Sequence, residues 1–365
     1  MSRVLMAMSG GVDSSVAAAR LVEAGLDVVG VTLHLWDYPE EGPPQGRCCA
    51  PEDIHDAKLV AAHLGIPHYS FDRRELFEQK VVTPFVDAYV VGRTPSPCVE
   101  CNRWIKVPEL LKIADRLGAE AVATGHYARV VPDGVGAPRL FRGRDRHKDQ
   151  AYFLYMLGPA ELDRLRLPLG DALKSEVRQE ARERGLPAAD KGESQELCFV
   201  DADGYARFVE QRAPDRIRAG TIEDAAGREV GRHQGIHRFT LGQRRGLGIA
   251  LGRPAFVTNI DAERSVIEVG SAAEASSNRA RLTGVTWHDD VVFPVEALVK
   301  VRSQHEGTMA RLVQQTEVDG APAVVARFDE PVRGVCPGQI AVAFREDRVL
   351  GGGAIAEAWT EEPPP

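Results

Sequence analysis

The sequence has no long hydrophobic run and no signal-like start. Its longest run of apolar side chains covers only residues 152–157, whereas a membrane-spanning helix needs about 20 such residues. One basic residue, Arg3, precedes a short apolar stretch at the N-terminus, unlike the start of a secretory signal peptide. These absences predict a cytoplasmic protein with no membrane partner.

Cysteine is scarce and unevenly placed. One C-x-x-C pair, Cys98 and Cys101, is followed by neither a second pair nor paired histidines, which argues against a zinc ribbon. In a reducing compartment such cysteines indicate catalysis or metal binding before structural disulfides. Cys198 lies on another predicted loop, so the two loops could bring thiols together. Arg103 and Lys106 would supply the positive surroundings that lower a thiol pKa.

Basic residues are fewer than acidic residues, and the net charge is −8. This average disfavours a nucleic-acid partner, although local patches decide such binding. Residues 216–253 nevertheless carry eight arginines against three acids, and residues 139–148 are also rich in arginine. Guanidinium groups bind phosphate well. These two segments indicate either contacts with an RNA backbone or solvated basic faces.

The order of strands and helices predicts the fold class. With 365 residues the chain is long for one domain, and two or three are expected. Strands alternate with helices up to residue 124, which predicts an α/β fold with a doubly wound, mostly parallel sheet. Short alternating strands dominate from residue 221 onwards and predict a small barrel or sandwich. The expected domains are residues 1–203, a β-rich central module at 204–273 and a C-terminal β-barrel at 274–365.

Three kinds of local structure are predicted outside these regular strands and helices: loops, a helical segment and a frayed end. Residues 94–102 and 191–203 are expected to be loops, and residues 150–184 to be helical. The acidic, proline-rich residues 361–365 are expected to fray.

A glycine–serine turn follows the first strand. Five apolar residues, 4–8, precede Ser9-Gly10-Gly11-Val12-Asp13-Ser14-Ser15, and a helix is expected from Val16. The residue before Ser14 is an aspartate where a Walker loop has lysine, and G-x-G-x-x-G is also absent. Glycines permit close backbone approach, and the N–H groups at a helix start attract phosphate. We therefore expect an anion site here, with extra donors from Ser9, Ser14 and Ser15; a turn of small packing residues is the alternative.

Further residues follow other strands of the same predicted sheet. Leu33, Gly125 and His126 lie at strand ends like Ser9, and ligands bind at the carboxyl ends of parallel strands. The turn itself resembles the pyrophosphate loop of the ATP pyrophosphatase superfamily. That resemblance implies an adenine nucleotide alpha hydrolase-like domain that cleaves ATP between its α and β phosphates.

The whole chain resembles one family of that superfamily, the tRNA-specific 2-thiouridylases (MnmA/TrmU). The order and spacing of many short motifs support this resemblance. They are residues 8–15 (MSGGVDSS), Cys48-Cys49, residues 94–102 (TPSPCVECN), residues 123–127 (ATGHY), residues 148–154 (KDQAYFL), residues 194–199 around Cys198, residues 235–249 ending GQRRGLGI, Pro337-Gly338-Gln339 and residues 350–353 (LGGG).

The resemblance implies a two-stage reaction on tRNA. ATP, with Mg²⁺, activates the C2 oxygen of the wobble uridine at position 34 as an adenylate, and a cysteine persulfide then delivers sulfur as AMP leaves. By matching positions, Cys101 is the nucleophile and Cys198 carries the persulfide, with a transient disulfide between them. The implied partners are the tRNAs for Lys, Glu and Gln and a sulfur donor such as a cysteine desulfurase or a sulfur-relay protein.

The family motifs also assign binding residues. The positions implied for ATP are Ala7, Met8, Ser9, Gly10, Gly11, Val12, Asp13, Ser14, Leu33 and Gly125. Those implied for tRNA are Ser96, Pro97, Cys98, His126, Lys148, Asp149, Gln150, Arg302, Ser303 and Gln339. Trp104 and Tyr127 are candidate stacking residues for a base, with core packing the alternative for Trp104.

Cys98 departs from the family pattern, because some members have an aspartate there. Cys98, Cys101 and Cys198 could instead hold an iron–sulfur cluster, since cysteine thiolates are its usual ligands. Two other functions stay open: a superfamily enzyme that adenylates or amidates a small substrate, and a non-enzymatic RNA-binding protein with a nucleotide switch.

Overall fold

The computed structural model describes residues 2–37, 51–132, 136–192, 197–201, 203–288, 291–316 and 320–361. Cys48, Cys49 and Ser194, which belong to the family motifs, lie outside these ranges. The helices are α1 (Val12–Glu23), α2 (Pro51–Leu64), α3 (Arg74–Phe77), α4 (Thr83–Val90), α5 (Pro97–Cys101), α6 (Val107–Leu117), α7 (Pro159–Asp163), α8 (Lys174–Glu183) and α9 (Gly204–Arg212).

The strands alternate with helices only in the first half of the chain. They are β1 (Arg3–Ala7), β2 (Asp27–His34), β3 (His68–Asp72), β4 (Ala121–Ala123), β5 (Ala128–Pro132), β6 (Pro138–Arg142), β7 (Leu165–Arg166), β8 (Gly220–Asp224), β9 (Glu229–His233), β10 (Phe256–Asp261), β11 (Val266–Gly270), β12 (Ser276–Trp287), β13 (Val295–Lys300), β14 (Thr308–Thr316), β15 (Pro322–Arg333), β16 (Ile340–Arg345) and β17 (Arg348–Trp359).

The chain forms two units that are discontinuous in sequence. The first unit consists of Met1–Val82, Pro97–Val200 and Asp347–Val349, and the second of Thr83–Ser96, Asp201–Glu346 and Leu350–Pro365. The three-domain boundaries predicted above stay a prediction. No helix among the described residues is long and apolar enough to cross a membrane.

The first unit contains a five-stranded parallel sheet. Its strand order is β3-β2-β1-β4-β7, and every neighbouring pair runs parallel. The order therefore reverses at β1, and the gap between the ends of β1 and β4 is a switch point where such sheets bind ligands. Val4, Leu5 and Met6 of β1 are buried, as expected for a strand covered on both faces. The predicted doubly wound fold is confirmed.

The second unit contains two β structures. One is a four-stranded sheet in the order β10-β11-β8-β9. The other is a closed barrel in the order β12-β15-β14-β13-β16-β17, with β17 pairing back onto β12. Closure brings Gly351 so near β12 that a Cβ atom there would lie 2.3 Å from the carbonyl oxygen of Thr286. The β-rich central module and the C-terminal barrel predicted from the sequence are confirmed.

Some local predictions are wrong. Residues 94–102 contain a helix, α5, which continues through a π-helical turn (Asn102–Lys106) into α6. Pro97 does not prevent this, because the first residue of a helix needs no N–H partner. Residues 150–184 are not continuously helical, since β7 pairs with β4 in their middle. Helix α1 begins at Val12, four residues before its predicted start.

Candidate active site

The loop between β1 and α1 is a tight turn that only glycine can form. Gly10 has φ +71°, and a Cβ atom on it would lie 2.3 Å from the carbonyl oxygen of Asp53. On the other side, a Cβ atom on Gly125 would lie 3.0 Å from the backbone nitrogen of Ser14. The two glycines therefore bring α2 and the segment after β4 against the start of α1.

Serine hydroxyls hold this loop in shape. Oγ of Ser14 donates to the carbonyl oxygen of Gly11 at 3.0 Å and accepts from the N–H of Ser9 at 3.2 Å. Ser15 is buried, and its Oγ donates to the same carbonyl at 2.9 Å. Both hydroxyls donate within the loop, so neither Ser14 nor Ser15 is a free donor, contrary to the prediction. The anion-binding capacity lies mainly in the backbone N–H groups at the start of α1 and in the dipole of that helix.

A lysine distant in sequence faces the acidic residue of the loop. Nζ of Lys174 lies 2.6 Å and 2.7 Å from the two carboxylate oxygens of Asp13. The hydroxyl of Tyr127 donates to the same carboxylate at 2.7 Å, and Nζ of Lys174 lies 5.8 Å from the centre of the Tyr127 ring. Lys174 is buried at the first position of α8. A cation at a helix start opposes the dipole, and the Asp13 carboxylate compensates for it.

A second lysine contacts the other side of the loop. Lys191 forms ion pairs with Asp53 and with Asp56, the latter at 2.7 Å, and its Nζ donates to the carbonyl oxygen of Gly10 at 3.3 Å. The paired carboxylates raise the pKa of Lys191 against the effect of its burial. Two ammonium groups therefore flank a loop suited to an anion.

A cavity of 410 Å³ opens at the carboxyl ends of β1, β2 and β4. Of the residues predicted for ATP, all but Gly10 line it. Other walls come from Lys106, Lys174 and Lys191, from Leu110, and from Tyr127. The structure therefore brings the predicted nucleotide residues together at the switch point of the sheet.

Two of the three cysteines that were considered for sulfur chemistry also line the cavity. Cys98, which is exposed, and Cys198, which is half-buried, both line it. Cys101 is buried and is not among the lining residues. Cys98 and Cys101 are three residues apart on α5, and the side-chain amide of Asn102 donates to the carbonyl oxygen of Cys98 at 3.0 Å. None of the four described cysteines forms a disulfide.

Phe199 anchors the segment that carries Cys198. Its buried ring packs edge-on against Phe77 and Trp36, with centroids 5.5 Å and 6.2 Å away. Such aromatic pairs hold a side chain in a defined orientation. The neighbouring Cys198 is therefore fixed next to the cavity on this side.

His126 is a neutral group at the cavity. Burial of its ring and, less strongly, the charge of Lys106 lower the pKa of His126 to about 3. Nδ1 lies 2.8 Å from Oγ1 of Thr124, which fixes the ring orientation. At neutral pH His126 can donate or accept a hydrogen bond without carrying charge.

The predicted tRNA residues 148–150 differ in their surroundings. Lys148 and Gln150 line the cavity. The side chain of Asp149 is only 1% exposed and accepts from Arg142 and from the N–H groups of Gly143 and Ala151. The Asp149 carboxylate thus holds the segment in shape, and a direct contact with RNA would have to use its backbone.

The remaining predicted tRNA residues are divided between the units. Pro97 is buried at the start of α5 in the first unit, whereas Ser96, Arg302, Ser303 and Gln339 belong to the second. Within the second unit, Nε2 of Gln339 donates to the carbonyl oxygen of Pro95 at 3.3 Å. Gln339 is thereby close in space to Ser96.

The two candidate stacking residues differ in their exposure. Trp104 is 49% exposed, and Nζ of Lys80 lies 5.7 Å from the centre of its ring. Tyr127 is buried and bonded to Asp13. The core-packing alternative for Trp104 is therefore wrong, whereas Tyr127 lies in the wall of the cavity with its hydroxyl bonded to Asp13.

The described residues offer no ligand set for an iron–sulfur cluster. Among the residues that the structure describes, no three His, Cys, Asp or Glu side chains are grouped so that they could hold a metal ion. Cys98, Cys101 and Cys198 therefore do not fit the cluster alternative.

Sequence reasoning missed Lys174 and Lys191. One signal was present for Lys174, because it begins a helix, where a cation is unfavourable unless an acidic partner lies nearby. Lys191 had no comparable signal, since Asp53 and Asp56 precede it by more than a hundred residues.

Comparison with known proteins finds family models that together match residues 2–355, with short gaps between them. Three family models match: "tRNA methyl transferase HUP domain" over residues 2–202, "tRNA methyl transferase PRC-barrel domain" over 206–271 and "Aminomethyltransferase beta-barrel domain" over 277–355. A solved 4-thiouridine synthetase–RNA complex with bound ATP is 19% identical and covers 59% of this chain and 51% of its own, with a TM-score of 0.35.

Curated relatives match more closely. A protein of Sorangium cellulosum named "tRNA-specific 2-thiouridylase MnmA" is 59% identical over 98% of this chain and 93% of its own length. A protein of the same name from Chloroflexus aurantiacus is 49% identical over 98% of this chain and 99% of its own length. The chain therefore belongs to the MnmA family of tRNA-specific 2-thiouridylase enzymes.

Proposed function

We propose that the chain catalyses the ATP-dependent 2-thiolation of uridine at wobble position 34 of tRNA. The observation that carries this proposal is one cavity lined both by the glycine–serine loop and by Cys198. The loop supplies a site for the phosphates of ATP, and the thiol supplies a carrier for sulfur. The curated relatives, which are named tRNA-specific 2-thiouridylases and are matched over 93% and 99% of their own lengths, support the same activity.

Activation is the first stage. The phosphates of ATP, accompanied by Mg²⁺, bind at the N–H groups of the α1 start, with Lys174 and Lys191 at its sides. The C2 oxygen of the uridine attacks the α-phosphorus, the α–β phosphoanhydride bond breaks, and pyrophosphate leaves. Fixed N–H groups and ammonium groups stabilise the negative charge that builds up on the phosphates.

Sulfur transfer is the second stage. The terminal sulfur of a Cys198 persulfide attacks C2, the C2–oxygen bond breaks, and AMP leaves with the bonding electron pair. The Cys101 thiolate then attacks Sγ of Cys198, which forms a Cys101–Cys198 disulfide and leaves C2 doubly bonded to sulfur. A thiol reductant must return both cysteines to thiols, and a sulfur donor such as a cysteine desulfurase or a sulfur-relay protein must reload Cys198.

Cys98 and Cys101 have distinct positions in this scheme. Cys98 lines the cavity, whereas Cys101 is buried one helical turn further along α5. For Cys101 to reach Cys198, its side chain must become accessible when tRNA is bound. As substrates we propose the wobble-uridine tRNAs for Lys, Glu and Gln, which the family resemblance implies.

Single-turnover assays test this proposal. The chain is mixed with ATP, a low-molecular-weight persulfide and either a tRNA with uridine at position 34 or a matched tRNA with cytidine there. We expect 2-thiouridine and tRNA-dependent AMP only with uridine. Cys198→Ala and Cys101→Ala should lose 2-thiouridine, and Asp13→Ala should lose AMP release as well.

Three outcomes would contradict parts of the proposal. Full thiolation by both Cys198→Ala and Cys101→Ala would remove their catalytic assignment. AMP release with a small carboxylate but not with tRNA would favour another adenylating enzyme. Tight tRNA binding without any AMP release would favour an RNA-binding protein with a nucleotide switch.

A further inference from the structure

The two cysteines of the C-x-x-C pair have different surroundings. Cys98 is exposed and lines the cavity, whereas Cys101 is buried and is not among the lining residues. Cys198 is half-buried and lines the same cavity as Cys98. The two-stage reaction uses Cys101 and Cys198. It leaves the most exposed of the three thiols, that of Cys98, without a chemical step.

The disulfide that ends the second stage has little access from solvent. One of its sulfur atoms belongs to Cys101, which is buried, and the other to Cys198, which is half-buried. A reducing thiolate must reach one of these sulfur atoms, and restricted access slows its attack. A thiol that already lies at the cavity and close to Cys101 in the sequence avoids this restriction. Cys98 has both properties.

Cys98 and Cys101 lie one helical turn apart on α5. Cα atoms three residues apart in an α-helix are about 5 Å from each other, and disulfides join Cα atoms that are about 4.4–6.8 Å apart. The two Cβ atoms must approach from about 5–6 Å to about 4 Å. Cys101 is the last residue of α5, and a π-helical turn (Asn102–Lys106) begins directly after it. The helix is therefore already irregular beside the residue that must move.

The surroundings of Cys98 favour its reactive form. Lys106 lines the cavity together with Cys98. The positive charge of Lys106 acts at the cavity, because it lowers the pKa of His126 in addition to the larger effect of burial. Thiolates are the attacking species in disulfide exchange, and nearby cations favour them. The cavity is thus suited to an anionic sulfur at Cys98.

We propose that Cys98 is a resolving cysteine that carries out one thiol–disulfide exchange after sulfur transfer. The Cys98 thiolate attacks Sγ of Cys101, a Cys98–Cys101 bond forms, the Cys101–Cys198 bond breaks, and Cys198 leaves with the bonding electron pair as a thiolate. The proton that Cys98 gives up is balanced by the one that Cys198 takes up, and the exchange consumes no external electrons. This proposal rests on the proposed function, which forms the first disulfide.

The exchange moves the oxidised pair onto one helix and restores the sulfur carrier. Cys198 returns to a thiol, so a sulfur donor can reload it before any reductant acts. The remaining Cys98–Cys101 disulfide has one exposed partner, and exposed disulfides are the more easily reduced ones. An external dithiol supplies the two electrons that reopen this bond and becomes a disulfide itself.

The test maps disulfides after one turnover without reductant. The full chain is loaded with sulfur from a low-molecular-weight persulfide, separated from excess donor, and mixed with ATP and a tRNA that has uridine at position 34. N-ethylmaleimide stops the reaction and alkylates the remaining thiols. Trypsin then releases residues 94–103, which contain Cys98 and Cys101, and residues 192–207, which contain Cys198. Mass spectrometry without reduction identifies the bonds.

We expect wild-type protein to give peptide 94–103 with an internal disulfide and peptide 192–207 alkylated at Cys198, in an amount equal to the 2-thiouridine formed. C98S should lose this pattern and give the two peptides cross-linked through Cys101 and Cys198. The matched control C336S replaces a cysteine that is buried in the second unit, and it should give the wild-type pattern.

Three results would overturn the inference. The first is wild-type protein that stops with Cys101 cross-linked to Cys198 and with Cys98 alkylated. The second is 2-thiouridine formed without any disulfide among the three cysteines. The third is anaerobically purified wild-type protein that holds iron which is lost in C98S, because the iron would then occupy these thiols.

Failure of the proposed function looks different, because neither 2-thiouridine nor a turnover-dependent disulfide would then form. If C98S fails to fold or forms no 2-thiouridine, C98D is measured by the same criteria, since some family members carry aspartate at this position. The disulfide pattern of wild-type protein decides between the outcomes independently of both variants.

Discussion

Gly10→Ala gives a sharp test of the glycine–serine loop. The change adds one methyl group where φ is +71° and where that methyl group would lie 2.3 Å from the carbonyl oxygen of Asp53. Real Cβ contacts do not fall below 3.0 Å, so the loop or α2 must move by about 0.7 Å. A displacement of about 1 Å at a reacting group can lower the rate about 10²-fold. We expect tRNA-dependent AMP formation to fall by roughly that factor.

Gly25→Ala is the matched control, at the other end of the same helix. Gly25 has φ +75°, but a Cβ atom there would meet nothing within 4 Å. Both variants carry the left-handed backbone penalty of about 1–2 kcal/mol, and only Gly10→Ala carries the clash. The midpoint temperature of thermal unfolding should therefore fall in both variants, whereas the rate of AMP formation should stay within about twofold of wild type in Gly25→Ala. Equal AMP formation by the two variants would refute the assigned role of the loop.

Two further predictions concern Lys174 and His126, two titratable residues at the cavity. Lys174→Met keeps the length of the buried stem but removes the ammonium group that faces Asp13 beside the expected phosphate site. Loss of one charge-assisted contact of about 1.5–3 kcal/mol at this site should raise KM for ATP roughly 10- to 100-fold. The exposed Lys112→Met serves as control, and an unchanged KM in Lys174→Met would contradict the geometry. Because the pKa of His126 is lowered to about 3, the unfolded chain binds the extra proton first as pH falls below about 6.5. His126 should therefore remove up to about 1.4 kcal/mol of stability per pH unit below about 6.5, and urea titrations of His126→Gln should lack this contribution; identical pH slopes would refute it.

The sequence was most informative where structure is local. The turn between β1 and α1 spans only a few residues, so its glycines, serines and strand–helix context predicted a tight turn between a strand and a helix, and the structure places that turn at the switch point. Alternating apolar segments likewise predicted the parallel sheet, because buried strands need continuous apolar side chains.

Long-range pairing limited the prediction elsewhere. Lys174 pairs with Asp13 and Lys191 pairs with Asp53, although more than a hundred residues separate the partners in the sequence. The periodicity of a sequence does not predict such contacts. The helix that carries Cys98 and Cys101 was missed because prolines at 95 and 97 are typical of a loop, although Pro97 is tolerated as the first helical residue. The hairpin of β5 and β6 was not predicted either; its strands pair with each other, and Phe141 of β6 pairs with Arg348 of β17.

Which thiols reach the cavity could not be read from spacing. Cys98 and Cys101 look equivalent in a C-x-x-C motif, yet α5 exposes the first and buries the second. The difference arises from packing around one helical turn, which depends on residues far away in sequence.

Closure of the barrel by its last strand matters for the synthesis of the chain. Trp287 of β12 pairs with Gly351 of β17, and Arg279 pairs with Trp359. Strand β12 therefore leaves the ribosome well before β17 has been synthesised. Until then β12 and β16 are open edges, which can pair with another chain. A nascent chain that stalls before Gly351 therefore exposes an aggregation-prone sheet, and its need for chaperones should end only when the final strand is translated.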